Sequence, residues 1–104
     1  KVPSYANYRN GQGETPLHAA ASTGQTSAVT TLLAAGVDPN ILTVKNWTPL
    51  HSAARFGHAR IASMLINHGA TVNMWNSDGK TPLALADIAN QRQAAMILER
   101  SGGR

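Results

Sequence analysis

The sequence predicts an all-α solenoid of three stacked helix-turn-helix units joined by hairpin-like loops. The tetrapeptide TPLH stands at Thr15–His18, returns at Thr48–His51 and is echoed as TPLA at Thr81–Ala84, a period of 33 residues both times. Other columns keep the same register: Gly24, Gly57 and Asn90; Gly36, Gly69 and Gly102; Leu32, Leu65 and Leu98; Asn7, Asn40 and Asn73. Between Thr15–Asn40 and Thr48–Asn73 ten of 26 positions are identical. Chance similarity does not hold several columns in step over three units.

Each unit is predicted element by element. Thr before Pro starts a helix, because the hydroxyl caps free amides and Pro at the first helical position gives up an N–H that had no partner. The first helix of each unit is expected over Pro16–Ser22, Pro49–Phe56 and Pro82–Ala89. Its Ala20–Ala21 and Ala53–Ala54 pairs carry too little side chain to hold neighbouring helices apart, so they favour close stacking. Gly24 and Gly57 suit the left-handed residue that ends a helix, and Asn90 is the usual substitute for Gly there. A second helix follows, marked by apolar residues at i, i+3 and i+4: Val29, Leu32 and Leu33 in one unit, Ile61, Met64 and Leu65 in the next. Gly36, Gly69 and Gly102 stop it. Stretches such as Asn40–Trp47, rich in β-branched and Asn residues, suit an extended connection with a turn at its tip.

Composition bounds the rest. The 104 residues suffice for one domain and one core. Hydrophobic residues at 42% and charged residues at only 13% argue against charge-driven disorder. The absence of cysteine removes disulfides, thiolate zinc sites, iron–sulfur clusters and thiol nucleophiles. No apolar run approaches the roughly 20 residues of a membrane span, and KVPSYANYRN lacks the apolar segment of a signal peptide. A cytoplasmic location is the expectation, with secreted and periplasmic settings left open. The net charge of +4 is modest beside the clustered cations of a nucleic-acid face.

The segments GETPLHAAASTG with LLAAGVDPN, NWTPLHSAARFG with LINHGATVN, and DGKTPLALADIAN with MILERSGG resemble the ankyrin-repeat family. The resemblance covers about nine tenths of the chain. It implies a single domain over residues 1–104, with repeats at 8–40, 41–73 and 74–104 and residues 1–7 as the tail of a preceding repeat, so that the chain reads as cut from a longer array. Thr15, Pro16, Leu17 and His18, with Thr48, Pro49, Leu50 and His51 and with Thr81, Pro82 and Leu83, are the motif residues. Departures mark the third unit, which carries Ala84 for the His, Asp87 for one Ala of the pair and Glu99 in the column of Leu33 and Ile66. A polar residue there suits a capping repeat whose outer face meets water. Asn46 stands where the family has Gly at the loop tip, and Thr71 replaces the usual Asp.

No catalytic set emerges, and neither metal nor cofactor is expected. His18 and His51 match in position, but stacked helices lie roughly 8–10 Å apart, too far for equivalent rings to share a zinc at about 2 Å from each nitrogen. The resemblance implies structural histidines that hydrogen-bond across the turn and to the next repeat. His58 and His68, at the two ends of a second helix, are expected to face solvent, His68 also complementing the helix C-terminal dipole. No serine has the G-x-S-x-G setting. GQGETP lacks the third Gly and the preceding strand of a phosphate loop. Asp38 and Asp78 are turn acids on separate loops.

If function follows the family, it sits on the concave surface made by the first helices and loop tips. The family's variable positions fall on Arg9, Gly11, Gln12, Glu14, Ser22 and Thr23, then Leu42, Val44, Lys45, Trp47, Arg55 and Phe56, then Trp75, Ser77, Asp78, Lys80, Ile88 and Ala89. Among these positions the second and third units hold both Trp, the only Phe and three of the four cations, Lys45, Arg55 and Lys80. Trp and Arg are over-represented at interface hot spots, so Leu42, Lys45, Trp47, Arg55, Phe56, Trp75, Asp78, Lys80 and Ile88 are the expected partner-binding residues. The competing reading has Trp47 and Trp75 packed along the row of loops, and the cations merely solvated. The expected function is a non-catalytic module, monomeric in isolation, binding a protein or peptide with some acidic character and no membrane. The alternatives are nucleic-acid binding through Lys45, Arg55, Arg60, Lys80, Arg92, Arg100 and the two Trp, or a piece of a larger effector or enzyme.

Overall fold

In the computed structural model of the chain, which describes residues 2–104, the repeat becomes six α-helices: α1 (Pro16–Thr23), α2 (Thr26–Ala34), α3 (Pro49–Arg55), α4 (Ala59–Asn67), α5 (Pro82–Ile88) and α6 (Arg92–Arg100). Lys1, which belongs to the expected tail, lies outside the described residues. A 3-10 helix at Ser4–Asn7 precedes the first unit, and Asn7 makes neither of the bonds that Asn40 and Asn73 make below. The helices α1, α3 and α5 lie side by side in one layer, and α2, α4 and α6 form the second layer against them. No helix among the described residues is long and apolar enough to cross a membrane.

Local chemistry sets each boundary. Thr15, Thr48 and Thr81 are extended N-caps whose hydroxyls accept the amide of the residue three on. Gly24 and Gly57 take φ of 76° and 77°, and Asn90 adopts the same left-handed state at 59°. Phe56 and Ala89 fall just beyond their helices as C-caps, and α1 extends one residue past the expected Ser22.

The core fills as the apolar columns require. Leu17, Leu50, Leu65 and Leu98 are fully enclosed, and the alanine pairs at 20–21 and 53–54 lie where the inner helices meet. Asp87, in the column of Ala21 and Ala54, is exposed, as is Glu99 in the column of Leu33. No helix lies against that side of α5 and α6 among the described residues, so a carboxylate there keeps its water.

The connecting loops turn without forming strands. Each tip closes with two backbone bonds: Asn10, Thr43 and Asn76 donate to Glu14 O, Trp47 O and Lys80 O, all at 3.0 Å, and accept from Gly13, Asn46 and Gly79 N–H at 2.9, 3.0 and 2.9 Å. Neighbouring tips share a single bond, Val44 N–H to Gln12 O at 3.0 Å and Ser77 N–H to Lys45 O at 2.9 Å. One bond per pair is too few for a ladder. The side chains of Asn10, Thr43 and Asn76 each accept two amides of their own loop, at i+2 and i+4, and hold the tip in shape.

Polar side chains tie unit to unit. His18 Nδ1 takes the Thr15 amide at 3.2 Å while its Nε2 lies 2.9 Å from Trp47 O of the next unit. His51 repeats this with Thr48 N–H at 3.0 Å and Lys80 O at 2.9 Å. An amide can only donate and a carbonyl only accept, so the proton must sit on Nε2. Asn40 donates to Gly69 O and accepts from Thr71 N–H, and Asn73 does the same with Gly102 O and Arg104 N–H. In the third unit, where Ala84 replaces the His, the Thr81 hydroxyl turns to Arg104 O at 2.8 Å.

His58 corrects a sequence expectation. It does not face solvent but reaches back to Ser22 O at 3.1 Å, with its ring over Gly24. Gln91, one period on, donates to Arg55 O at 3.2 Å and lies over Gly57. A Cβ at Gly24 would stand 2.8 Å from the His58 ring, so this position favours glycine both for its left-handed φ and for the approach of the next unit, whereas Asn90, with no following unit over it among the described residues, meets only the first demand. His68 is exposed at the end of α4, its Nδ1 3.0 Å from Met64 O.

Burial holds the His18 and His51 imidazoles below the ordinary pKa of 6.5, and the carbonyl acceptors of Trp47 and Lys80 offset only part of that. A lowered folded pKa means that below about pH 6.5 the unfolded chain binds more protons than the folded one. Stability is then fully present above that pH and falls as the pH drops toward the folded values. Urea denaturation at pH 7 and pH 5 should give a lower midpoint at pH 5, and His18→Gln/His51→Gln, though weaker at pH 7, should show a shallower loss. The core makes a second prediction. Leu50 is fully enclosed between two neighbours and Leu83 is 8% exposed, so Leu50→Ala should cost more of the roughly 2–5 kcal/mol typical of such a change than Leu83→Ala does. Equal or greater loss at Leu83 in thermal melts would contradict this.

Candidate binding surface

The inner helices and loop tips leave a shallow hollow of about 400 Å3. Its rings are Trp47, from a loop tip, and Phe56, the C-cap of α3; its charged groups are Glu14, Lys45 and Asp78, each from a loop tip. Small and polar groups, Gln12, Ser22, Thr43 and Ser52, line the remainder. Each residue is placed by its column. Glu14, Trp47 and Lys80 precede the three capping threonines, so their side chains stand at the junction of loop and inner helix. Trp47 is half-buried, its ring 6.0 Å from that of His51 and tilted by 41°. The same residue gives its carbonyl to His18, so the histidine that ties the first two units also anchors the backbone of this ring.

The expected site residues divide. Lys45, Trp47, Phe56 and Asp78 come together in the hollow. Arg55 stands outside it, its guanidinium 5.3 Å from the centre of the Phe56 ring. Leu42 is half-buried and contributes its carbonyl to Arg9 at 2.8 Å. Trp75 is 72% exposed and Ile88 67% exposed, neither lining the hollow. Lys80 is exposed and serves through its carbonyl. The two Trp rings therefore do not stack along the loop row: Trp47 packs against His51, while Trp75 shares the column of Arg9 and Leu42 and points elsewhere.

The hollow also lies closer to the amino end than the expected surface, with the first unit contributing Gln12, Glu14 and Ser22. Ser22 occupies the column of Arg55 and Ile88. A short side chain there leaves room that a long one fills. The expected surface centred on the second and third units because the rings lie there; the available signal for the first unit was that its small Ser22 opens space beside a neighbour's rings.

A second concavity, of about 390 Å3, opens on the far side of α5 and α6 between Asp87, Asn90, Arg92, Met96 and Glu99. The equivalent faces of the first two units are covered by the next unit, so its shape follows from stacking. No cluster of three or more His, Asp or Glu suited to a metal ion occurs among the described residues.

The chain matches the family described as "Ankyrin repeats (3 copies)" over residues 20–102 and the one described as "Ankyrin repeats (many copies)" over residues 4–33. It belongs to the ankyrin-repeat family. A search of curated proteins found no match. Ankyrin repeats are in general protein–protein interaction modules and typically non-catalytic.

One loop of this ankyrin-repeat domain is incompletely satisfied. Asn10 Nδ2 donates to Glu14 Oε1 at 2.8 Å, whereas the matching Asn76 Nδ2 is buried without a partner, because Lys80 replaces the acid four residues on. A buried unmet donor costs about 1–3 kcal/mol. Lys80→Glu should supply the missing acceptor and raise the thermal midpoint, with a gain of about 1 kcal/mol in urea titrations. The same change in an Asn76→Ala background should give no gain.

Proposed function

We propose that this ankyrin-repeat domain is a non-catalytic module that binds a protein or peptide at the hollow lined by its first and second units and by Asp78 of the third, with Trp47 and Phe56 as anchors. The observation that carries the reading is the convergence of two rings and three charged groups on one concavity framed by rigid helices. Aromatic anchors in a pocket account for most of the energy of such interfaces, and surrounding charges act more on association rate and salt sensitivity. The expected acidic partner rested on Lys45, Arg55 and Lys80, of which Lys45 alone reaches the hollow. Arg60 and Arg92, the outer-helix cations of a nucleic-acid reading, are exposed away from the rings, and the two carboxylates in the hollow would repel a phosphate backbone.

The test compares partner capture from the native source by the wild type, by Trp47→Ala/Phe56→Ala and by Arg60→Ala/Arg92→Ala. The ring variant, folded by circular dichroism, should lose the partner, each anchor being worth about 2 kcal/mol, and the outer pair should keep it. Loss by the outer pair with retention by the ring variant would move the interface to the outer helices.

A further inference from the structure

The hollow carries its own statement about the partner's charge. Glu14, Asp78 and Lys45 line it, so within the hollow carboxylates outnumber ammonium groups two to one, with the Arg55 guanidinium beside Phe56 outside it, although the chain as a whole is positive. Glu14 is oriented by Asn10 through Oε1, which leaves Oε2 for another donor. Asp78 lies on an exposed tip whose backbone is fixed by Asn76, and its side chain takes no part in that network. The rings of Trp47 and Phe56, from the middle unit, line the same hollow as these carboxylates, which come from the first and third units. A ring face carries partial negative charge and attracts a cation, most strongly for the indole of Trp. The neighbouring pair already behaves this way, Arg55 lying over Phe56.

On the reading of this hollow as the binding site, we infer that its occupant is a cationic side chain, Lys or Arg, presented by an extended peptide. Its aliphatic stem packs against the rings and its charged head reaches Glu14 and Asp78. Lys45 works against this occupant, which gives the proposal a signature of opposite signs. Removing the acids weakens binding, and removing Lys45 strengthens it.

The test is selection of random linear peptides displayed on phage against the full chain, followed by fluorescence anisotropy of a selected peptide with variants. The expected result is a recurring Lys or Arg. With the peptide's own cation intact, affinity should fall about tenfold for Glu14→Gln/Asp78→Asn and rise about two- to fivefold for Lys45→Gln. Glu14→Gln and Asp78→Asn keep side-chain shape, Lys45→Gln shortens an exposed one, and Gln at position 14 retains an acceptor for Asn10. Enrichment of Asp or Glu, with binding weakened by Lys45→Gln and by Trp47→Ala/Phe56→Ala, would overturn the cationic occupant and leave the site in place. Selected peptides indifferent to the ring variant would overturn the site, and with it the inference. A failure to enrich any peptide would count against both.

Discussion

The imidazole at the fourth position of the TPLH motif is the contact on which the stack depends. A helical unit of this size cannot bury an apolar face alone, so its stability comes from its neighbours. Leucines and alanines supply that burial without fixing the distance or rotation between units. His18 and His51 add direction. Each closes its own helix start through Nδ1 and holds the next unit's loop through Nε2, so one ring couples a local cap to a long-range register. The coupling works only for the neutral ring, which burial maintains.

The remaining inter-unit bonds act in the same direction from other columns. Asn40 and Asn73 fasten the loop leaving one outer helix to the next, while His58 and Gln91 reach back across the glycine turns. These side chains meet main-chain groups rather than other side chains. Main-chain geometry repeats in every unit, so such bonds survive wide variation elsewhere. Surface positions are then free to differ, which is how Ser22, Arg55 and Ile88 can share a column and give three different local surfaces.

The binding surface inherits its rigidity from this scaffold. Trp47 is held by its carbonyl on His18 and Thr43 N–H, by its amide on the Thr43 hydroxyl and by its ring against His51. An anchor fixed before its partner arrives loses little side-chain freedom on binding, and affinity gains by that difference. Phe56 is freer, 49% exposed at a helix end with Arg55 beside it. The hollow thus combines one preset ring with one adaptable ring.

The sequence by itself determined the period, the helix starts and stops and the apolar columns, because these follow from short-range chemistry: a Thr-Pro start, a left-handed Gly or Asn, and a 3.6-residue stripe repeated every 33 residues. It also placed Lys45, Trp47, Phe56 and Asp78 among the surface residues. The tertiary structure alone decided which of those residues meet. Trp47 and Trp75 look equivalent as rings on loops, yet they occupy different columns, so one packs at the foot of α3 and the other projects 72% exposed. His58 looked like a surface residue because a helix start gives no hint of a preceding turn lying beneath it. The hollow is formed by what Ser22 lacks as much as by what Phe56 adds. An empty volume between units has no local signature in a chain, since it exists only once neighbouring columns are brought side by side.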